Sequence, residues 1–260
     1  MPTTRKLNTL AMSLLLLALF LASWQWGPSI LGIPEFVLPK LSATWNEMIR
    51  MLHSENLLMH AGVTASEVVA GFLIGSALGV TIGVALGLSP RAETVLSPYI
   101  LALQIAPKVA FAPLFVMWMG YTVYPKIVVA ILIVFFPVMI NVLGAVRRVD
   151  PDMVNLVRAM CGSRWQIFRL VEFPSAMQAL FAGLRIASTL AIIGVTVGEL
   201  VGGDKGLGYL LVYGEGQGNT AMVFVAIVAL TIIGILAYTA VVRLEKRALH
   251  YLPEAAVHTI

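Results

Sequence analysis

The sequence contains few of the residues on which soluble enzymes depend for their chemistry. Of its 260 residues only 12% are charged, about half the share of roughly 25% that is usual in soluble domains. The single cysteine, Cys161, excludes an intrachain disulfide. The four histidines are not spaced as metal ligands on a common face, and no GxxxxGK[ST] phosphate-binding loop occurs. The sequence therefore predicts no metal site and no nucleotide site, so any ATP that the protein uses must bind to another chain.

Hydrophobic residues are abundant instead. They make up 59% of the chain, and the mean hydropathy is +0.92, so they cannot be confined to one face of each element. A membrane crossing needs about 20 apolar residues, and six segments qualify: residues 8–27, 58–88, 94–119, 124–146, 175–200 and 221–242. We predict an all-α integral membrane protein with six transmembrane helices in one domain, residues 1–260.

The first apolar segment follows a basic start and resembles a signal peptide in this respect. It continues to Trp24 and Trp26 without a small-x-small cleavage site. Tryptophans are typical of the membrane interface. We therefore expect a retained signal anchor.

The positions of lysine and arginine predict the orientation, because cytoplasmic loops carry an excess of them. An N-terminus in the cytoplasm assigns four to outer segments, namely Lys40, Arg50, Lys126 and Lys205. It assigns eleven to the inside, namely Arg5, Lys6, Arg91, Arg147, Arg148, Arg158, Arg164, Arg169, Arg243, Lys246 and Arg247. We predict that both termini are cytoplasmic and that residues 150–173 form a cytoplasmic loop.

The second segment carries glycines at four-residue spacing. Gly71, Gly75 and Gly79 share one helix face, with Gly83 and Gly87 one step round. Small residues in this pattern allow helices to approach closely in lipid. We expect packing within the chain rather than dimerisation through this face.

The loop between the fourth and fifth segments is polar and has its own helix signals. Asp150 is placed as an N-cap with Pro151 at the first helical position, and Cys161-Gly162 ends this helix. Its apolar stripe comprises Met153, Leu156, Val157 and Met160. Ser163 and Gln166 predict a capping box for a second short helix through Val171, which Phe173-Pro174 ends. The pattern alone fits both an ordinary surface loop and an element that docks into a groove on a soluble partner.

This loop, NLVRAMCGSRWQIFRLVEFP followed by SAMQALFAGLRIA, resembles the EAA loop of ABC importer permeases. The matching residues are Arg158, Ser163, Arg164, Trp165, Gln166, Ile167, Phe168, Pro174, Ala182, Gly183, Leu184, Arg185, Ile186 and Ala187. Asn155 stands where the family has glutamate, Leu156 and Val157 replace two alanines, and Cys161 displaces the glycine. Because Asn155 replaces the glutamate, the salt bridge that this glutamate usually forms in the family is in doubt. The loop should still dock, since its shape and its apolar residues are kept.

Other stretches are similar to one subgroup, the permeases for nitrate, sulfonates and taurine. They are TASEVVAGFLIGSALGVTIGVALGLSP, QIAPKVAFAPLFVMWMG and GGDKGLGYLL. The resemblance implies the type I importer fold with its core at residues 58–245, in a bacterial inner membrane. It also implies a permease pair (we expect a homodimer), two ATPase subunits that hold ATP and Mg, and an extracytoplasmic solute-binding protein. The cargo expected is a small anionic solute, and this chain is expected to be neither an enzyme nor a cofactor carrier.

The resemblance assigns contact with the ATPase to the loop. The residues we expect there are Asn155, Leu156, Val157, Arg158, Met160, Cys161, Gly162, Ser163, Arg164, Trp165, Phe168 and Pro174. Arg185, in the following segment, is expected to pack against the loop.

Few polar residues lie within the predicted spans, and these are candidates for the solute path. The candidates are Gln104, Pro107, Lys108, Glu67 and Glu199. Proline at membrane depth frees backbone carbonyls that a cavity can use, and Lys108 can attract an anion. The alternatives are that Lys108 reaches the interface or pairs with Glu199, and that Glu67 has a structural role beside Thr64 or a neighbouring span.

Outside the spans, residues Ser42 to Leu52 predict an amphipathic helix at the outer interface. Its expected apolar side comprises Trp45, Met48, Ile49 and Leu52. A secondary transporter that works without an ATPase is the alternative function, although such proteins often have more spans and inverted repeats. A membrane enzyme is disfavoured because no convergent catalytic groups lie in the spans.

Overall fold

The computed structural model describes residues 2–250, with side chains from residue 11 onward. Its α-helices are α1 Pro2–Ile30, α2 Leu41–Ser54, α3 Leu57–Gly87, α4 Pro90–Ile105, α5 Ala112–Met119, α6 Val123–Arg147, α7 Pro151–Ala159, α8 Arg164–Ile167, α9 Phe173–Gly202, α10 Leu207–Gly216 and α11 Thr220–Ala248. A 3₁₀ turn, Lys108–Phe111, precedes α5, and a π turn, Phe168–Glu172, joins α8 to α9. Residue 1 and residues 251–260 lie outside the described residues. The cytoplasmic location of both termini therefore stays a prediction.

Five helical segments within the described part are long and apolar enough to cross a membrane. They are Ala11–Ile30, Leu57–Gly87, Val123–Arg147, Arg164–Gly202 and Thr220–Ala248. The predicted third span is the bent pair of α4 with the 3₁₀ turn and α5, whose halves meet at 75°. Counting this pair as one span gives the six predicted crossings.

The bend in the third segment has a local cause. Pro107 forces Ala106 into an extended conformation, with ψ at 135°, because the proline ring disfavours helical geometry in the residue before it. The helix α4 therefore ends there, and the chain restarts as the 3₁₀ turn at Lys108.

The core is the packing of α3 and α9 on either side of α6. The valines of α6 at four-residue spacing, Val134, Val138 and Val142, are almost completely buried. The predicted glycine face of α3 lies directly against them: a methyl group on Gly75 would lie 2.9 Å from Val134, and one on Gly79 would lie 2.9 Å from Val138. The prediction that these glycines pack within the chain is confirmed.

The glycines of α9 bring that helix equally close to the other side of α6. A methyl group on Gly194 would lie 2.6 Å from the Cα of Ala130, and one on Gly198 would lie 2.6 Å from the Cα of Lys126. Backbone contact of this kind replaces a hydrophobic driving force, which is weak between helices in lipid. The close approach also positions Lys126 between α3 and α9.

The predicted amphipathic helix is present as α2, and Trp45, Ile49 and Leu52 of its predicted apolar side are exposed on it. Thr44 and Met51 are buried on the other side. Met51 packs in the hydrophobic core, whereas Trp45 borders a groove shared with α1. Helix α1 is joined to α2 by Gln25 Oε1, which accepts a hydrogen bond from the Ser42 N–H at 2.9 Å. Trp24 Nε1 also donates to the carbonyl of Pro39, just before α2, at 3.0 Å.

Candidate functional site

The polar loop, residues 150–173, begins as its sequence predicts. Asp150 accepts a hydrogen bond from the backbone N–H of Asp152, 2.9 Å, with Pro151 next in the chain. Ser163 and Gln166 form the predicted reciprocal capping box at α8, with distances of 2.6 and 3.3 Å. Both helix starts are therefore determined by local sequence.

The turn between these helices lies at Cys161-Gly162 as predicted, but glycine does not supply the unusual backbone angle there. Cys161, and not Gly162, takes the left-handed conformation, with φ at 58°. The N–H of Gly162 bonds to the Val157 carbonyl at 2.9 Å, and a methyl group on Gly162 would lie 2.5 Å from Val157 Cγ1. Glycine is needed there because the chain turns back against α7, not because of its φ.

The second helix of the loop does not end at Phe173-Pro174 as predicted. The helical path is continuous from Arg164 to Gly202 through the π turn. Proline in a regular helix clashes with the carbonyl four residues earlier, and a π turn just before Pro174 widens the backbone at that place. The loop is consequently joined to α9 by one uninterrupted helix.

The apolar residues of the loop are exposed on one side. Leu156 is 64% exposed, Met160 77% and Trp165 65%. Trp165 stacks on Phe168, with ring centroids 5.6 Å apart. Val157, Gly162 and Phe168 are half-buried, as is Pro174 at the start of α9, and the other predicted contact residues are exposed. This surface, which we call the apolar ridge (Met153, Leu156, Met160 and Trp165), has no covering element in the described chain.

A buried polar cluster lies at the opposite end of α9 from the loop. Lys126 donates to Glu67 at 3.0 Å, and both side chains are 2% exposed. Lys126 therefore belongs to the interior of the bundle, in the first turn of α6, and is not an exposed residue between two spans.

Glu199 belongs to the same cluster and attaches α10. Its two carboxylate oxygens accept from Thr64 Oγ1 at 2.7 Å and from the N–H of Gly208 at 2.6 Å. Thr64 in turn accepts from the N–H of Leu207 at 2.8 Å. His60 Nδ1 accepts from the N–H of Gly206 at 3.0 Å. Side chains of α3 and α9 thus satisfy the free N–H groups at the start of α10, which would otherwise be costly to bury.

The remaining predicted residues form a separate groove, the Lys108 groove. Lys108 Nζ donates to the Gln104 carbonyl at 2.6 Å and lies 4.7 Å from the ring centroid of Phe136. Gln104 and Lys108 border one cavity of about 490 Å³, with Pro137 and Ile193 on its other wall. Lys108 does not pair with Glu199, which has the partners given above.

Arg185 also differs from its prediction. It pairs with Glu245 of α11 at 3.4 Å instead of packing against the loop. Glu245 is almost fully buried, so the arginine compensates a charge between α9 and α11. This pair joins two spans near the loop end of the bundle.

The fold and these sites agree with what the chain is similar to. The sequence model for the family described as binding-protein-dependent transport system inner membrane component matches residues 71–250. The chain belongs to this family. Among its curated relatives, a riboflavin transport system permease of Chloroflexus aurantiacus is 34% identical over 88% of this chain and 86% of its own length. An aliphatic sulfonates transport permease of Bacillus subtilis, named as putative, is 32% identical over 92% and 86%.

A solved structure supports the fold. A chain of the MetNI methionine ABC transporter, in an inward-facing conformation, superposes with a TM-score of 0.61 at 19% identity, covering 74% of this chain and 95% of that one. This permease therefore has the type I ABC importer fold, and it is a multi-pass inner-membrane transport subunit rather than an enzyme. Membership of the family also implies an ATPase partner and a binding protein.

The structure divides the predicted path residues of the permease into two groups. Gln104, Pro107 and Lys108 meet at the bend between α4 and α5, whereas Glu67 and Glu199 lie in the buried polar cluster. Sequence reasoning missed His60 and Lys126 as members of that cluster. Lys126 lies inside the predicted span 124–146, and this position was the available signal.

Proposed function

We propose that this permease forms the solute path of an importer whose ATPase binds at residues 150–173, with both termini in the cytoplasm. The observation that carries the proposal is the exposed apolar ridge on a loop that is continuous with α9. Apolar side chains that stand out from a polar loop favour burial in a groove of a partner. ATP and Mg would bind to that partner.

The continuous helix supports a mechanical role for the loop. Because α8, the π turn and α9 form one helical path, a displacement of Trp165 is passed to the span without an intervening hinge. Two such loops, one from each member of a permease pair, would approach when two ATPases close. The two bundles would then exchange between inward-open and outward-open states, which is a ligand-driven shift between two conformations.

We further propose a homodimeric permease and a small anionic solute. The solute would enter the Lys108 groove, where the lysine is the charged group at the bend of a span. Relatives named for aliphatic sulfonates, taurine and nitrate fit an anionic or zwitterionic solute, whereas the relative named for riboflavin fits a neutral one, so the charge of Lys108 carries this proposal. An extracytoplasmic binding protein would deliver the solute.

Replacing two exposed residues of the ridge tests the docking proposal. Leu156→Asp with Met160→Asp places two charges on the ridge without disturbing the core, since both side chains are exposed. We expect the permease to fold and insert, but to lose co-purification with its ATP-binding subunit and stimulation of ATP hydrolysis. The exchange Leu156→Met with Met160→Leu keeps the ridge apolar and should retain both. Normal assembly of the Asp variant would overturn the proposal.

A further inference from the structure

Two cavities meet at Lys108, and their walls differ in chemistry. The first, of about 490 Å³, is the side of the groove that Gln104 borders. The second, of about 430 Å³, lies between α5 and α6 and includes Phe111, Phe115, Trp118 and Phe135 in its lining. Lys108 and Phe136 belong to both. Cavities of this size are suited to small molecules.

The aromatic wall of the second cavity follows from helical spacing. Phe111, Phe115 and Trp118 stand at i, i+4 and i+7, so they form one stripe. Their rings contact one another, with centroids 6.4 Å apart for the first pair and 5.8 Å for the second. The stripe faces α6, where Phe135 and Phe136 meet edge to face at 4.9 Å.

Lys108 is the charged residue in the lining of both cavities. Its ammonium has three N–H donors, of which one reaches the Gln104 carbonyl. No ion pair joins Lys108 to a carboxylate of residues 11–250. An anion beside it would therefore be attracted with little competition, and more strongly than in water because the surroundings are apolar.

The aromatic lining of the second cavity should favour anions with an apolar body over compact anions. A compact anion that enters the aromatic cavity loses its hydration shell and gains contact with one ammonium group. This single contact does not compensate the free energy of the lost hydration. An anion with an apolar body keeps its acid group at Lys108 while the body gains contact with aromatic rings. The difference favours the amphiphilic anion.

We propose that the Lys108 groove is a binding site for organic anions with an aromatic body. The acid group contacts the ammonium, and the body lies among Phe111, Phe115 and Trp118. This inference rests on the proposed function, since it narrows the solute class for the same groove. It makes the permease itself selective, in addition to any selection by a binding protein.

The test is ligand binding to the purified permease in lipid nanodiscs, without ATPase or binding protein. The probes are benzenesulfonate, methanesulfonate and benzylammonium, and the measurement is the shift of the thermal unfolding midpoint with probe concentration, corrected with empty nanodiscs. A ligand that binds the folded state raises this midpoint. We expect benzenesulfonate to bind more tightly than methanesulfonate, and benzylammonium to have no effect.

Variants assign the effect to the groove. Lys108→Met should weaken benzenesulfonate binding by about tenfold or more, as expected when a hydrogen bond to a charged group is removed, and Lys108→Arg should keep most of it. Trp118→Leu should weaken benzenesulfonate while leaving methanesulfonate unchanged. The midpoint of each variant without probe shows whether it is folded.

The opposite results would overturn the inference: equal binding of the two sulfonates, or benzenesulfonate binding that Lys108→Met does not change. The latter result is expected if the aromatic stripe contacts only lipid or a second copy of the chain. Because no ATPase is present, failure here is distinct from failure of the docking proposal. A chain that assembles with its ATPase but does not bind benzenesulfonate would refute only this inference.

Discussion

At the scale of single residues, the buried pair of Lys126 and Glu67 shows how strongly context decides the role of a charge. Both side chains are 2% exposed, and their contact of 3.0 Å compensates two charges in the interior of a bundle. Burial of either one alone is expensive, because the medium there stabilises an isolated charge poorly. The pair is therefore a condition for packing α3 on α6.

Replacing Lys126 alone should lower the unfolding free energy more than replacing both Lys126 and Glu67. Lys126→Met leaves Glu67 without its cation, and we expect a loss of about 3–5 kcal/mol in unfolding free energy. The double variant Lys126→Met with Glu67→Leu should recover most of it, because Glu67 is then not left as a charge without its partner, while Glu199 keeps its hydrogen bonds from Thr64 and Gly208. Thermal unfolding in detergent, with Lys205→Met as an exposed control, checks this. Equal losses in the single and double variants would contradict the prediction.

A second residue-scale contact lies in α2, outside the helices that are long and apolar enough to cross a membrane. Arg50 binds Glu47 at 2.5 Å, and Asn219 donates to the same carboxylate at 2.7 Å. The hydrogen bond from Arg50 lowers the pKa of Glu47. Because the folded pKa is depressed, the contact stabilises the protein above the unfolded pKa of Glu47 and weakens as the pH falls through the folded value.

We expect the attachment of α2 to the turn before α11 to loosen in acid. The protection of the α2 amides against hydrogen exchange, taken relative to the intrinsic exchange rate at each pH, should fall as the pH drops below the ordinary pKa of glutamate. Glu47→Gln should show the same loss of protection at pH 7, whereas Glu35→Gln, whose exposed carboxylate pairs with Lys40, should not. Unchanged exchange in Glu47→Gln would exclude this attachment.

At the scale of elements, the contact between α3 and α6 depends on the absence of side chains. The glycines of α3 accept the valines of α6 so closely that no methyl group fits between them. The apparent weakness of glycine in a helix becomes an advantage, since it allows contact between backbones in lipid. The glycines of α9 allow the same close contact with the other side of α6, and this contact completes the bundle.

Enlarging one of these glycines should separate the helices. A methyl group on Gly75 would lie 2.9 Å from Val134 and 3.0 Å from the Ile131 carbonyl, so Gly75→Ala should cost about 1–3 kcal/mol through overpacking. Gly62→Ala is the matched control on the same helix, because nothing lies within 4 Å of its Cβ position. Thermal unfolding distinguishes the two. A gain in stability for both variants, as the higher helix propensity of alanine alone would give, would show that close contact at Gly75 does not decide.

At the scale of the whole molecule, the two ends of the bundle are built differently. One end carries the polar loop with an exposed apolar ridge, and the other is closed by α10, which the buried polar cluster holds. The π turn makes the loop part of α9. This asymmetry is what an importer subunit requires if its motor acts from one side only.

The orientation of the molecule can be tested with its native cysteine. Cys161 is exposed in the loop and is the single cysteine of the chain. A membrane-impermeant maleimide should leave it unlabelled in intact cells and label it in inverted membrane vesicles. The control is Cys161→Ser with Lys205→Cys, which should give the reverse pattern, since residue 205 is exposed at the other end. Labelling of Cys161 in intact cells would invert the proposed topology.

Features with a local cause could be predicted from the sequence. The spans follow from runs of apolar residues, and the helix starts of the loop follow from Asp150 and Ser163. The roles of Lys126, Arg185 and Glu199 depend on how the helices pack, and the sequence did not predict them. Their partners are distant in sequence, as Glu199 is from Thr64. The spacing of apolar residues along one helix does not show which of its faces another helix will cover. For the same reason, only the structure separated the buried polar cluster from the Lys108 groove.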